Sequence, residues 1–379
     1  MLRYFTAGES HGKCLVAILD GFPAGIAIDI ETINQSLKER QSGYGRGKRM
    51  EIESDRVEFL SGVRQGVTIG SPITIKIDNK DFKIDTLPEV IFPRPGHADL
   101  SGALKYNCKD IRDILERASA RETAVRVACG ALCQNLLKQF NIEVVGHVIN
   151  IGGISVAERV SFKDIKERIK DSLIRCVDRP VEEKIIALIN KTIEKKDTLG
   201  GIFEVRAVNV PVGLGSHAQW DRKLDARLSM AVMSIQGVKS VEIGLGKDFA
   251  LNCGSQVHDE IYYSEEQKEN QGSGFFRKNN NSGGIEGGIS NGEDIIVKGA
   301  MKPIPTLSQP LDSVNLVTKQ AHKASVERSD VCAVPACSVV AEAVVSLEIT
   351  RAFLEKFGSD SKEEIERNYQ GYLKQIKSI

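Results

Sequence analysis

Asp110-Ile-Arg-Asp-Ile-Leu-Glu-Arg117-Ala-Ser-Ala-Arg121-Glu-Thr-Ala-Val-Arg-Val-Ala-Cys-Gly-Ala-Leu-Cys-Gln-Asn-Leu-Leu-Lys-Gln-Phe140 is the stretch from which the fold is read. Ile111, Ile114, Leu115, Ala118, Val125, Ala128, Leu132, Leu136 and Phe140 recur near helical spacing, which predicts one long helix or two in series. Arg117, Arg121 and Arg126 are among its charged positions. On either side lie short β-branched runs, Leu2 to Thr6, Val67 to Ile77, Ile142 to Ile151 and Ile202 to Val212, that read as strands. Further helical patterns run from Phe162 to Lys196, with a solvated Lys/Glu face, and from Leu224 to Ile235. A last one, Ala333 to Lys356, is rich in small residues that let helices approach closely, so it is expected to be buried. Tyr262 to Ser282 is polar, with Asn279, Asn280 and Asn281 in a row, and reads as a mobile loop covering a site.

The 379 residues carry 51 basic and 51 acidic side chains, and 41% are hydrophobic. A zero net charge gives no whole-molecule field favouring nucleic acid or an anionic membrane, so any anion site must come from local arginine clusters. The start, MLRYFTAGESHG, lacks a signal-peptide layout, and no run approaches the ~18 apolar residues of a membrane span. Eight cysteines without metal-type spacing read as buried thiols in a reduced, cytoplasmic protein, and no metal site is expected.

Four motifs point to chemistry. Gly8-Glu9-Ser10-His11-Gly12 is a turn that presents side chains at a strand end. Arg40-Gln-Ser-Gly43-Tyr44-Gly45-Arg46-Gly47-Lys48-Arg49 is a glycine-rich basic loop able to wrap an anion. It has neither the P-loop ending nor dinucleotide spacing. Arg94-Pro-Gly-His97-Ala-Asp99 puts a titratable imidazole on a rigid turn beside a fixed charge. Asp99 can orient that imidazole or cap the helix that follows. Finally, Ser282 to Gly292 holds five glycines in eleven residues, more than a tight hairpin requires, and Lys302-Pro-Ile-Pro-Thr306 follows one strand later. Arginine forks hold phosphate and carboxylate. With two histidines beside them, they make a site that grips a polyanion and moves a proton.

Together with Arg117 to Ala124, Ser234 to Gly244, Met301 to Thr306 and Arg328 to Pro335, these motifs resemble the chorismate synthase family over nearly the whole chain. The resemblance implies an α+β fold, a single-domain β-α-β sandwich spanning 1–379 with helices packed between antiparallel sheets and a C-terminal helical tail at 352–379. It also implies a homotetramer. The implied activity is conversion of 5-enolpyruvylshikimate-3-phosphate to chorismate and phosphate by anti-1,4-elimination with reduced FMN. Carried over by motif, His11, His97 and Asp330 would be catalytic: His97 would protonate the departing phosphate, His11 the reduced flavin, and Asp330 would relay the proton from flavin N5. Flavin-contacting positions would be Arg117, Ala118, Ser119, Gln236, Gly237, Gly287, Lys302, Pro303, Ile304, Pro305, Thr306 and Arg328. Ile304 and Pro305 depart from the small polar residues frequent there, so the backbone would make those contacts. Arg40, Arg46, Arg94 and Arg121 would hold substrate or NADPH. The absence of a long insertion favours a form that receives reduced flavin from a separate reductase. Two other classes stay open: a flavin-dependent NADPH oxidoreductase, marked by net hydride transfer, and an RNA-binding protein resting on the basic loop.

Overall fold

A computed structural model of the chain describes residues 1–47, 54–157, 160–271 and 273–379. Lys48 and Arg49 of the basic loop therefore lie outside the described residues, as does Gly272 within 262–282. In chain order, β1 (Arg3–Ala7), β2 (Cys14–Asp20), α1 (Ile30–Gln41), β3 (Glu58–Ser61) and β4 (Ile73–Asp78) come first. Then follow α2 (Asp99–Tyr106), α3 (Arg112–Ala118) and α4 (Thr123–Lys138), and after them β5 (Glu143–Ile151), β6 (Ile154–Ser155) and β7 (Gly201–Val208). The chain closes with α5 (Leu224–Met233), β8 (Val238–Ile243), β9 (Ile295–Met301), α6 (Val334–Phe357) and α7 (Lys362–Lys377).

Two antiparallel sheets enclose the helices. One has the order β1-β2-β4-β3, the other β8-β9-β7-β5-β6. Alternation supplies each with one apolar face. Leu15, Ala17 and Leu19 of β2 and Ile73, Ile75 and Ile77 of β4 are buried, as are Phe203, Val205 and Ala207 of β7. Between the sheets, α4 and α6 are apolar on nearly every side, the pattern of a core helix. They meet backbone to backbone. A Cβ on Gly130 would sit 2.4 Å from that of Ala343, so only glycine allows this approach. The result is an α+β sandwich with helices between antiparallel sheets.

Several boundaries differ from the sequence reading. The helical stretch around Arg117 breaks at Ser119, which is extended (ψ 140°) and whose hydroxyl accepts from the Arg121 N–H. Residues 67–77 do not form one strand, because Gly70-Ser-Pro72 separates Val67–Thr68 from β4. The region 162–196 is likewise two helices, Phe162–Arg168 and Arg179–Glu194. Between them Cys176 bridges β5 at Val148, and Asp178 caps the second helix, whose first turn holds Pro180. Nor is 262–282 structureless. Ile261–Tyr263 pairs with Phe275–Arg277 around the helix Glu265–Gln271, and the Asp259 carboxylate anchors the base by accepting from the Asn281 and Ser282 N–H groups. At the C-terminus, Tyr369 and Tyr372 of α7 pack edge-on or tilted against Phe357 of α6. Cys129, Cys133, Cys176, Cys332 and Cys337 are buried thiols, as read, but Cys14 and Cys108 are only partly buried and Cys253 is exposed. Among the described residues no helix is long and apolar enough to cross a membrane.

Candidate active site

A cavity of about 1160 Å³ opens where the α3–α4 junction, the end of β9 and the start of α6 converge. Its floor is apolar, with Leu115, Ala118, Ala333, Ala336, Cys337 and Val340, and its walls carry the charged motifs.

His11 reaches it from the turn after β1. The Asn79 side-chain amide fixes that turn by donating to the carbonyls of Glu9 (3.1 Å) and Gly12 (2.8 Å). The turn is also tied to α3: the Ser10 N–H donates to the Glu116 carbonyl at 3.0 Å, and the His11 N–H to the Glu116 carboxylate at 2.8 Å. His11 Nδ1 lies 2.9 Å from the same carboxylate. On its far side, Nε2 is 3.8 Å from Asp81, whose carboxylate accepts from Arg328 at 2.7 Å and pairs with Lys83 at 2.9 Å. The Lys83 hydrogen bond, opposed by burial and reinforced by Arg328, lowers Asp81 to about 2.

His97 comes from the Pro-Gly turn, where Gly96 adopts φ +79°, a conformation L side chains avoid. Its Nδ1 donates to Asp99 at 2.5 Å. Arg94 lies 3.0 Å from the same nitrogen, but a protonated Nδ1 cannot also accept; Arg94 instead donates to both Asp99 oxygens, at 2.8 and 3.0 Å, and to Thr306 Oγ1 at 2.8 Å. Burial pushes the Asp99 carboxyl up, yet the His97 and Arg94 hydrogen bonds outweigh it and hold the group well below the usual range. Asp99 thus orients the imidazole from the first turn of α2. The Lys302 ammonium donates to the Gly96 carbonyl, tying this turn to the end of β9.

Three further arginines line the cavity. Arg40 donates to Thr123 Oγ1 (2.9 Å) and the Ala120 carbonyl (2.8 Å) and lies 3.8 Å from Asp55. Burial lowers its guanidinium to about 9 despite Asp55, so it stays charged at neutral pH. Arg121 donates to Asn79 Oδ1 (2.9 Å) and to Asp55 (2.7 Å). Arg46 pairs with Asp330 at 2.7 Å, and the Gly47 N–H donates to the same carboxylate at 2.6 Å, across 283 residues of sequence. Gln236 lines the cavity next to Gly237, its amide donating to the buried Glu122 carboxylate at 3.2 Å.

Of the residues singled out from sequence, His11, His97, Asp330, Arg40, Arg46, Arg94, Arg121, Ala118, Ser119, Gln236, Gly237, Arg328 and Lys302 to Thr306 all line this cavity. Two do not. The Arg117 guanidinium is used on backbone, donating to the carbonyls of Gly8 (2.9 Å) and Thr6 (3.0 Å), where it clamps β1 to α3. Gly287 sits exposed at the tip of the hairpin Ile285–Glu286/Ile289–Ser290, where it and Gly288 take φ +58° and +88°. That turn, rather than an anion, accounts for this glycine pair. Gly283 and Gly284 are needed because a Cβ there would strike the backbone of Gly244 and Asp294. Among the described residues, none of 262–282 lines the cavity. Sequence reasoning missed Asp55, Asn79, Asp81 and Glu116, the first three lying in ordinary polar runs. Only Glu116, adjacent to the Arg117 motif, carried a signal.

A family model described as chorismate synthase matches residues 2–354. The chain is 56% identical to a chorismate synthase of Geotalea uraniireducens, covering 100% of both, and 54% identical to one of Alkaliphilus metalliredigens, covering 98% of this chain and 99% of that relative. A solved structure titled as the crystal structure of chorismate synthase superposes with a TM-score of 0.83 at 44% identity, covering 100% of this chain and 99% of the other.

Proposed function

We propose that this chain, which belongs to the chorismate synthase family, converts 5-enolpyruvylshikimate-3-phosphate to chorismate and phosphate by anti-1,4-elimination with reduced FMN. The observation that carries this reading is the cavity itself: two histidines, each backed by a carboxylate, face a set of fixed cations over an apolar floor. Its about 1160 Å³ exceeds the roughly 300–1,000 Å³ of a typical single-ligand site, leaving room for a flavin and a substrate side by side. The fit is also chemical, since an apolar floor suits a flat ring and an arginine wall suits phosphate and carboxylate groups.

The elimination breaks the allylic C–O bond to phosphate and a C–H bond elsewhere on the ring, forming a second ring double bond with no net redox change. That hydrogen is not next to a carbonyl, so a side-chain base alone is inadequate; reduced flavin, when bound, supplies transient electron density to the allylic system. The remaining work falls to this chain. Arg46, Arg94, Arg121 and Arg328 balance the anionic groups as charges that do not titrate near neutrality. His97, with Nδ1–H held by Asp99, presents Nε2, which in the imidazolium form would donate a proton to the departing phosphate. His11, once protonated at Nε2, would supply a proton to the reduced flavin, and Asp330, beside Arg46, would take one. Lys302 to Thr306 and Gln236-Gly237, which line the cavity, would hold the flavin. Arg40 is largely committed to Thr123 and Ala120, which makes Arg46 the better candidate for direct ligand contact.

The test is anaerobic incubation with substrate and FMN in each redox state. Chorismate and phosphate should appear in equal amounts with reduced FMN only; product with oxidised flavin under strict exclusion of reductants would overturn the flavin role. NADPH consumed in step with substrate would establish the oxidoreductase instead, whereas consumption limited to initial flavin reduction would show that the protein reduces its own cofactor. Sedimentation tests the homotetramer.

A further inference from the structure

We propose that Glu116 is a positioning residue that holds neutral His11 as the Nδ1–H tautomer and leaves Nε2 facing the cavity. The inference deepens the reading above, on which it rests for His11's part in the reaction. Glu116 is 1% exposed and lies in α3, 105 residues from His11 in sequence. Its carboxylate meets the histidine at two atoms: the backbone N–H at 2.8 Å and Nδ1 at 2.9 and 3.0 Å. An ionised carboxylate only accepts, so Nδ1 must carry the proton that points at it. Burial pushes the Glu116 carboxyl up, but the hydrogen bonds from His11 outweigh it and keep the group below its usual range. Arg112 stands behind, 3.4 Å from Oε1 and itself fixed to the Pro88 carbonyl and to Glu327.

His11 lines the cavity, and Nε2 is its remaining ring nitrogen. Asp81, at 3.8 Å from Nε2, is beyond hydrogen-bonding distance, and its carboxylate is drawn towards Lys83 and Arg328. The charged groups around His11 are therefore Glu116 and Arg112 from α3, Asp81 and Lys83 from the loop after β4, and Arg328 through Asp81. His97 has the same arrangement: carboxylate on Nδ1, arginine behind it, Nε2 left over. Each dyad fixes which nitrogen can exchange a proton with what the cavity holds.

Glu116→Gln separates positioning from bulk. With one oxygen remaining, the amide keeps the His11 backbone N–H and turns its NH₂ towards Nδ1, which then must be the acceptor; neutral His11 becomes the Nε2–H tautomer. The readout is ¹⁵N NMR of histidine-labelled free protein, with the His11 signals identified by their loss in His11→Gln. Expected are an Nδ1–H tautomer in the wild type, an Nε2–H tautomer in Glu116→Gln, unchanged His97 signals, and a roughly 10²-fold fall in turnover at retained FMN affinity. An Nε2–H tautomer in the wild type overturns the proposal even where the variant fails to fold, and so does the same tautomer in wild type and a folded variant. Because the tautomer is read on the free protein, the outcome is independent of whether chorismate is the product.

Discussion

His97 takes its carboxylate from Asp99, two residues on, whereas His11 takes its carboxylate from Glu116, 105 residues on. Around His97 everything needed lies within Arg94 to Asp99: a Pro-Gly turn sets the backbone, Asp99 opens a helix, and Arg94 grips that carboxylate at both oxygens. This dyad is built once the turn forms. The His11 dyad exists only when α3 has docked against β1, held by the Arg117 clamp on Thr6 and Gly8 and by the Asn79 bonds to the turn. The same pair of groups can thus be written into six residues or left to packing. The local version is robust to distant substitutions, and the assembled one is exposed to them.

The sharpest break of the comparison is His97→Ala, expected to slow turnover about 10²–10⁴-fold while FMN binding is retained. Undiminished turnover across neutral pH would remove His97 from the reaction and leave His11 as the one working dyad. Next comes Asp99→Asn, which leaves the buried Arg94 guanidinium without its counter-charge; breaking a buried pair costs about 3–5 kcal/mol, readable by urea unfolding at neutral pH. Its sign with pH follows from the depressed folded pKa values of Asp99 and Glu116. Their stabilisation is present above the unfolded carboxylate range near pH 4 and is lost as pH falls through the folded values. The acid limb of stability should therefore be shallower in Asp99→Asn than in the wild type, and an unchanged limb would show that Arg94 rather than protonation governs it. A smaller effect is expected of Arg46→Ala, about 10–100-fold in affinity for the anionic ligand, the value of one or two charge-assisted hydrogen bonds. It should not alter the pH dependence of binding, since arginine does not titrate there; unaltered affinity at low and moderate salt would reduce the basic loop to a solvated turn. Smallest of all is the response of 261–277, where hydrogen exchange should change little on adding FMN while 302–306 slows. Strong protection of 261–277 on binding would show that the segment covers a site after all, on a neighbouring copy.

The same distinction governs what the sequence disclosed. Asp99 was legible because its partner sits two residues away on a recognisable turn, and α4 and α6 because apolar residues recur all along them. Arg40, Arg46 and Arg94 were legible as charges near glycine or proline, and Arg121 as a charge within a helical pattern. Their uses were not: whether an arginine lines the cavity, as Arg46 does, or spends its donors on backbone, as Arg117 does, is decided by elements far off in sequence. Glycine density proved ambiguous for a similar reason. Gly287 and Gly288 are required by a hairpin and Gly283 by the backbone of Gly244, neither of which a local window can separate from an anion cradle. Asn79 looked like an ordinary loop residue and turns out to join His11's turn to Arg121.

The clasp between the basic loop and Asp330 sets a schedule for the ribosome. At roughly 5–20 residues per second, the 283 residues separating Gly47 from Asp330 take roughly 15–60 s to emerge. Once residue 121 has emerged, both histidines and Arg40, Arg46, Arg94 and Arg121 exist, without Arg328, Asp330 or the helix Val334–Phe357 whose start lines the cavity. A chain terminated between there and Arg328 carries those residues and no enclosed site. The last seventh of these 379 residues closes what the first seventh began.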